Sequence, residues 1–130
     1  MRRAIAIILL GACAAEPDPQ PDDQIYGVYQ VDRTLRFTQP ADSPFAPRLV
    51  FEVAVYRDHV VDLDRGVEAI IYFRDPGVVW FEFAEPSATV DYELSGDPER
   101  LGGGCSALLT LNSGIYDVAC NATAVRLRPF

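Results

Sequence analysis

The chain has no lysine. Its 11 basic residues are all arginine, set against 19 Asp and Glu, and the formal net charge is −8. An acidic surface repels a phosphate backbone, so nucleic acid is excluded as a natural partner and a cationic protein is favoured. Histidine is almost missing too: His59 stands alone. One histidine, far in sequence from the cysteines, with no second cysteine pair, does not make a zinc ligand set. No Gly-x-Ser-x-Gly element occurs, and Ser106 has no recognisable base partner, so a catalytic triad is not expected. No apolar run approaches the roughly 20 residues that span a bilayer. No stretch carries capped, helix-period apolar spacing. These absences point away from an enzyme, a metal and a cofactor.

The amino terminus carries the clearest signal. Arg2 and Arg3 precede a short apolar run, Ala4 to Leu10, and small residues follow at Gly11 and Ala12. This is the layout of an export signal. Leu10-Gly11-Ala12-Cys13 resembles the lipobox of bacterial lipoproteins. The resemblance implies cleavage after residue 12 and lipid attachment to Cys13. It also implies a cell-envelope location, with Ala14 favouring the outer membrane by the sorting rule of enteric bacteria. Two or more acyl chains anchor stably where one does not, each buried CH2 contributing about 0.8 kcal/mol. Residues 13–24 then form a tether. "AAEPDPQPDDQ" has three prolines, four carboxylates and no large apolar side chain, and cannot bury enough surface to fold. Loss of Arg2 and Arg3 on cleavage leaves nine basic residues against 19 acidic ones, a net charge of −10.

Residues 25–130 read as a single all-β domain. The strands expected are 25–31, with room to continue to Phe37, then 49–56, 59–63, 67–73, 78–84, 89–95, 105–111, 115–120 and 123–129. In 89–95, Val90, Tyr92 and Leu94 alternate with Asp91 and Glu93, the period of a half-buried strand. Asp75-Pro76-Gly77 marks a turn. "QPADSPFAPR" (39–48) reads as a loop, and so does the glycine-rich "GDPERLGGG" (96–104). Connections this short exclude parallel crossovers. About eight strands therefore form a small antiparallel meander, closed as a barrel in preference to a sandwich. Gly27-x-Tyr29 followed by hairpin after hairpin resembles lipocalin-like barrels in topology, with tyrosine where that family carries tryptophan.

Cys105 and Cys120 remain once Cys13 is assigned to lipid. Two cysteines in an exported domain favour a disulfide. Closing a loop of about 15 residues contributes roughly 3 kcal/mol in the chain-entropy model. A two-residue Ser113-Gly114 turn sets the cysteines diagonally, while a four-residue turn, Leu111 to Gly114, sets them directly opposite.

The remaining candidate sites have plain alternatives. His59 with Asp58 and Asp62 suggests an acid–base group, or a turn histidine. Asp62, Asp64 and Glu68 around Gly66 echo a calcium loop without its full ligand set. Asn121-Ala122-Thr123 fits a glycosylation sequon and carries no weight in a bacterial lipoprotein. "WFEF" (80–83) is apolar on both faces. It suggests ordinary two-sided burial or a cavity for a small apolar ligand, lined by Trp80 or by Phe81 and Phe83. Small β-barrel lipoproteins that inhibit lysozyme share this size, anchor and disulfide. Ser113-Gly114-Ile115-Tyr116 is similar to their Ser-Gly…Tyr loop but one residue shorter and without lysine, so no site residue is carried over. The expectation is a membrane-tethered protein with a non-enzymatic binding or structural role, or an inhibitor of a cationic hydrolase.

Overall fold

The computed structural model describes residues 25–36 and 40–130. The signal segment, Cys13 and the tether lie outside the described residues. Nine strands form one antiparallel sheet: β1 (Gly27–Leu35), β2 (Arg48–Val55), β3 (Val60–Asp62), β4 (Val67–Glu68), β5 (Ile71–Asp75), β6 (Val78–Glu85), β7 (Ala88–Asp97), β8 (Arg100–Leu111) and β9 (Gly114–Pro129). No helix occurs among the described residues. The order is β4-β3-β2-β1-β9-β8-β7-β6-β5, and the sheet curls into a half-barrel. Every neighbouring pair is consecutive in the chain except β1 and β9, the first and last of the described strands.

The two edge strands are also consecutive. Ala69 N donates to Val60 O at 2.8 Å, and the next residue, Ile70, donates to Glu82 O at 2.8 Å. The path 67–75 therefore leaves β3 and takes up β6 within one step. The single strand expected over 67–73 is thus two short ones. A continuous strand would have to stay with one partner, and the exchange breaks it at residues 69 and 70.

Two further expectations are corrected. The glycine-rich segment 96–104 is not a long loop. β7 runs through Asp97 and β8 begins at Arg100, leaving only Pro98 and Glu99 to turn. The Asp97 carboxylate accepts Glu99 N–H at 2.8 Å and closes that turn, a local bond that aspartate makes readily. Gly103 then lies so close to β7 that an added Cβ would sit 2.0 Å from Glu93 O. Glycine marks close backbone approach here, not a loop. The segments 115–120 and 123–129 are one 16-residue strand, β9. Its early part pairs with β8 alone, Cys120 to Val125 lie between β8 and β1, and the end from Arg126 pairs with β1 alone.

Alternate residues fill the concave side. Tyr29, Val31 and Arg33 of β1 are buried, with Phe81 and Phe83 of β6, and Val90, Tyr92 and Leu94 of β7. Phe81 stacks on Tyr92 at 5.0 Å between ring centroids, and Phe83 meets Phe81 edge-on at 5.5 Å. The Tyr29 hydroxyl lies 2.8 Å from the carbonyls of Ile25 and Pro98, tying the β7–β8 turn to the start of β1. Cys105 and Cys120 face each other across β8 and β9, with Cα atoms 4.9 Å apart and sulfurs at bonding distance. The cysteines lie directly opposite, as the wider turn would set them, but Leu111 itself pairs with Gly114, leaving only Asn112 and Ser113 to turn.

Candidate functional site

The convex side of the sheet carries a groove that the register builds strand by strand. Phe73 lies opposite Trp80, Trp80 opposite Glu93, Glu93 opposite Gly104, and Gly104 opposite Asn121. Direct partners across antiparallel strands share a face. Phe73 and Trp80 stack at 5.0 Å, and Phe73 is largely exposed. Gly104 has no side chain to fill the space beyond Glu93. The result is a depression of about 420 Å³ lined by Trp80, Asp91, Glu93, Ser95, Gly104 and Ser106. Its size falls at the lower end of small-ligand sites, roughly 300–1,000 Å³.

Its charge is one-sided. In the adjoining row Glu82 lies directly opposite Asp91, an arrangement of like charges that costs stability. Ser106 Oγ donates to Asp91 Oδ1 at 2.6 Å. Arg74 borders the neighbouring recess, but its guanidinium lies over the Tyr26 ring at 4.6 Å. An aromatic face beside carboxylates is an environment for a cation.

A second feature lies on the concave side, near the β6–β7 turn. Arg33 is 1% exposed. Its Nη1 donates to Glu85 Oε2 at 2.8 Å and to the Tyr92 hydroxyl at 2.9 Å. The guanidinium lies 4.2 Å from the centre of the Phe45 ring. Arg65 Nη2 is 2.8 Å from Asp62 Oδ2 and 3.8 Å from Glu85 Oε2. Burial pushes the Tyr92 hydroxyl up to about 12, although the nearby Arg33 charge acts the other way.

The residues named from sequence fall in different places. Trp80 lines the outer groove, whereas Phe81 and Phe83 pack inside the core. His59 Nδ1 sits 2.6 Å from Asp58 Oδ1, and its ring stacks on Tyr56 at 4.5 Å. Asp62 is buried and turned to its own loop, its Oδ1 accepting the Asp64 and Arg65 N–H groups. It therefore faces Arg65, and joins neither His59 nor a metal cage. Among the described residues no cluster of His, Cys, Asp and Glu is placed to hold a metal ion. The Tyr116 hydroxyl folds back onto Ser113, 3.2 Å from its carbonyl. The chain matches no family model, no curated protein and no solved structure.

Sequence inspection missed Phe73, Glu93 and Gly104 as parts of one site. The alternation in 89–95 sends Glu93 outward, but its neighbours follow from a register that the loop expected at 96–104 conceals. Arg33 was missed although period two from Tyr29 and Val31 sends it inward.

Proposed function

We propose that this chain is a bacterial lipoprotein, anchored through Cys13, whose β domain acts by binding a cationic protein partner in the outer groove. The observation that carries this reading is the row Phe73, Trp80, Glu93, Gly104, in which an aromatic pair and a carboxylate flank a floor without side chains. An arginine or lysine of the partner would stack on Trp80 and pair with Glu93. It would also relieve the opposition of Glu82 and Asp91. The tether of residues 13–24 leaves the domain free to meet a partner away from the membrane. A basic hydrolase of the lysozyme kind belongs to the same partner class.

Trp80 is the only tryptophan, so its fluorescence reports on the groove directly. A hexa-arginine peptide is expected to change that emission saturably, and a hexa-glutamate peptide to leave it unmoved. Glu93→Gln should weaken the effect about tenfold, as the loss of one charged contact of about 1.4 kcal/mol implies. An unchanged response in Glu93→Gln would refute the groove. Titration of lysozyme activity separates inhibition from docking alone. Fatty-acid labelling that is lost in Cys13→Ser tests the anchor independently.

A further inference from the structure

One end of the sheet is charged unlike the rest. β1 begins there, directly after Ile25 and Tyr26, and Gly27 pairs with Val55 at the end of β2 and with Pro129 at the end of β9. The Tyr29 hydroxyl draws the β7–β8 turn to the same place through Pro98 O. Tyr26 is the hub. The guanidinium groups of Arg74 and Arg57 lie over its ring at 4.6 and 5.6 Å. Its carbonyl accepts from Arg126 Nη1 and from Phe130 N, each at 3.3 Å. Arg100 opens β8, and Arg128 pairs with Val28. Five of the nine arginines in residues 25–130 are therefore gathered here with four carboxylates, Asp58, Asp75, Asp97 and Glu99, for a net charge of +1. Glu99 pairs with Arg126, and Asp58 with His59. The rest of residues 25–130 carries four arginines and 11 carboxylates, a net charge of −7. Apolar side chains are exposed at the same end: Tyr56, Leu127 and Phe130. Phe130 stacks on Tyr56 at 4.7 Å.

We propose that this end of the domain docks on the anionic headgroups of the bilayer that holds the Cys13 anchor, with Arg57, Arg100 and Arg128 against phosphate and Tyr56 and Phe130 at the interface. The inference rests on the lipid-anchor reading of Cys13. Ile25 lies at this end, and the 12 residues from Cys13 to Gln24 span at most about 40 Å when fully extended, so the anchor holds this end near the bilayer. Aromatic side chains sit well at a membrane interface, and each arginine near an anionic surface favours docking about fivefold. The acidic remainder is repelled by the same surface, so the charge asymmetry also fixes the orientation. The tether is a poorer occupant. Its four carboxylates could meet the arginines, but it has no large apolar side chain to cover the exposed rings.

The test uses the lipidated chain reconstituted into vesicles that contain a brominated phospholipid, which quenches tryptophan only at close range. Two reporters are made in a Trp80→Phe background. Phe130→Trp reads the charged end. Ile115→Trp reads the other end of β9, up to about 50 Å away along the strand. Phe130→Trp is expected to be quenched in phosphatidylcholine vesicles that include phosphatidylglycerol, and far less in phosphatidylcholine alone. Ile115→Trp should be quenched in neither. Arg100→Gln should lower the docked-to-free ratio about fivefold, and Arg57→Gln, Arg100→Gln and Arg128→Gln together about a hundredfold. Lysine at the same three positions keeps the charge and should restore docking, which a purely structural role for the arginines would not predict. Equal quenching of Phe130→Trp in both kinds of vesicle, or none in either, would overturn the proposal, as would stronger quenching of Ile115→Trp. Quenching that appears only after Glu16→Gln, Asp18→Asn, Asp22→Asn and Asp23→Asn would give the arginines to the tether and overturn it too. If fatty-acid labelling shows Cys13 unmodified, the anchor reading fails by itself. The same reporters, with the protein added to preformed vesicles, then still decide whether this end meets anionic lipid.

Discussion

Three consecutive glycines in β8 should respond very differently to the same added methyl group. At Gly103 the new Cβ would lie 2.0 Å from Glu93 O and 3.3 Å from Leu94 Cα, both backbone atoms. A tolerable contact is over 1 Å longer than the first of these. No side-chain rotation relieves it, so β7 and β8 must part locally. Strands pair at about 4.7–4.9 Å, and an opening of more than 1 Å breaks the flanking hydrogen bonds. Two such bonds at about 1 kcal/mol each, with the lost packing, give a cost of about 3 kcal/mol for Gly103→Ala. At Gly102 and Gly104 the nearest atoms are Ala122 O at 4.0 Å and Cys120 O at 3.9 Å, which are ordinary contacts. There alanine removes backbone freedom from the unfolded chain and should be neutral or stabilising by up to about 1 kcal/mol. Urea unfolding followed by Trp80 emission measures all three. Gly103→Ala should lower the melting temperature by roughly 12–24 °C, at about 4–8 °C per kcal/mol for a domain of this size. Gly104→Ala should instead shrink the groove, weakening hexa-arginine binding in a stable protein. If Gly103→Ala falls within about 0.5 kcal/mol of Gly104→Ala, the close approach of β7 and β8 at residue 103 is refuted.

Other variants probe the turn, the buried hydroxyl and the cysteine pair. Ser87 holds φ 63° between β6 and β7, directly after Pro86, a position in a type II turn that suits glycine. Ser87→Gly should raise the urea midpoint by the equivalent of up to about 1 kcal/mol, and a lower midpoint would contradict the strain assigned to it. Burial holds the protons of Tyr29 and Tyr92 to about pH 12 against an ordinary value of 10.0. The folded state therefore binds more protons than the unfolded chain between these values, so stability is complete below pH 10 and falls as pH rises toward 12. Denaturation midpoints measured across that range, beside ultraviolet titration of the tyrosines, check the sign. Serine at both Cys105 and Cys120 should cost roughly 3 kcal/mol, in line with a closed loop of about 15 residues. Thiol labelling of both residues in the exported, unreduced protein would argue against their pairing.

The parts of the fold legible in sequence are those governed by local alternation. Val90, Tyr92 and Leu94 point inward and are buried, as the pattern in 89–95 requires. Asp75-Pro76-Gly77 opens the turn that joins β5 to β6, with Gly77 at φ 77°. The meander of short antiparallel strands follows from turns of this kind, and the curled sheet has that topology. What was not legible depends on contacts between strands. Composition alone cannot distinguish a flexible Gly102-Gly103-Gly104 from a paired strand in which Gly103 is pressed against Glu93, because the distinguishing fact is the neighbour.

The same residues explain why the candidate site was hidden. Reading 96–104 as a loop removes the first part of β8 from the sheet, and with it the floor of the groove. Restoring that strand brings Gly104 beside Glu93 and Glu93 beside Trp80, so a correction to secondary structure becomes a hypothesis about binding. Arg33 shows the converse. Its inward position follows from strand period, but its partners come from sites 52 and 59 residues away, at Glu85 and Tyr92. A charged residue in an otherwise apolar face is expensive to bury unless something distant meets it. Two of its donor interactions are met within the fold, by the Glu85 carboxylate and the Tyr92 hydroxyl, so the charge that strand period sends inward is held only because β6 and β7 return to face β1.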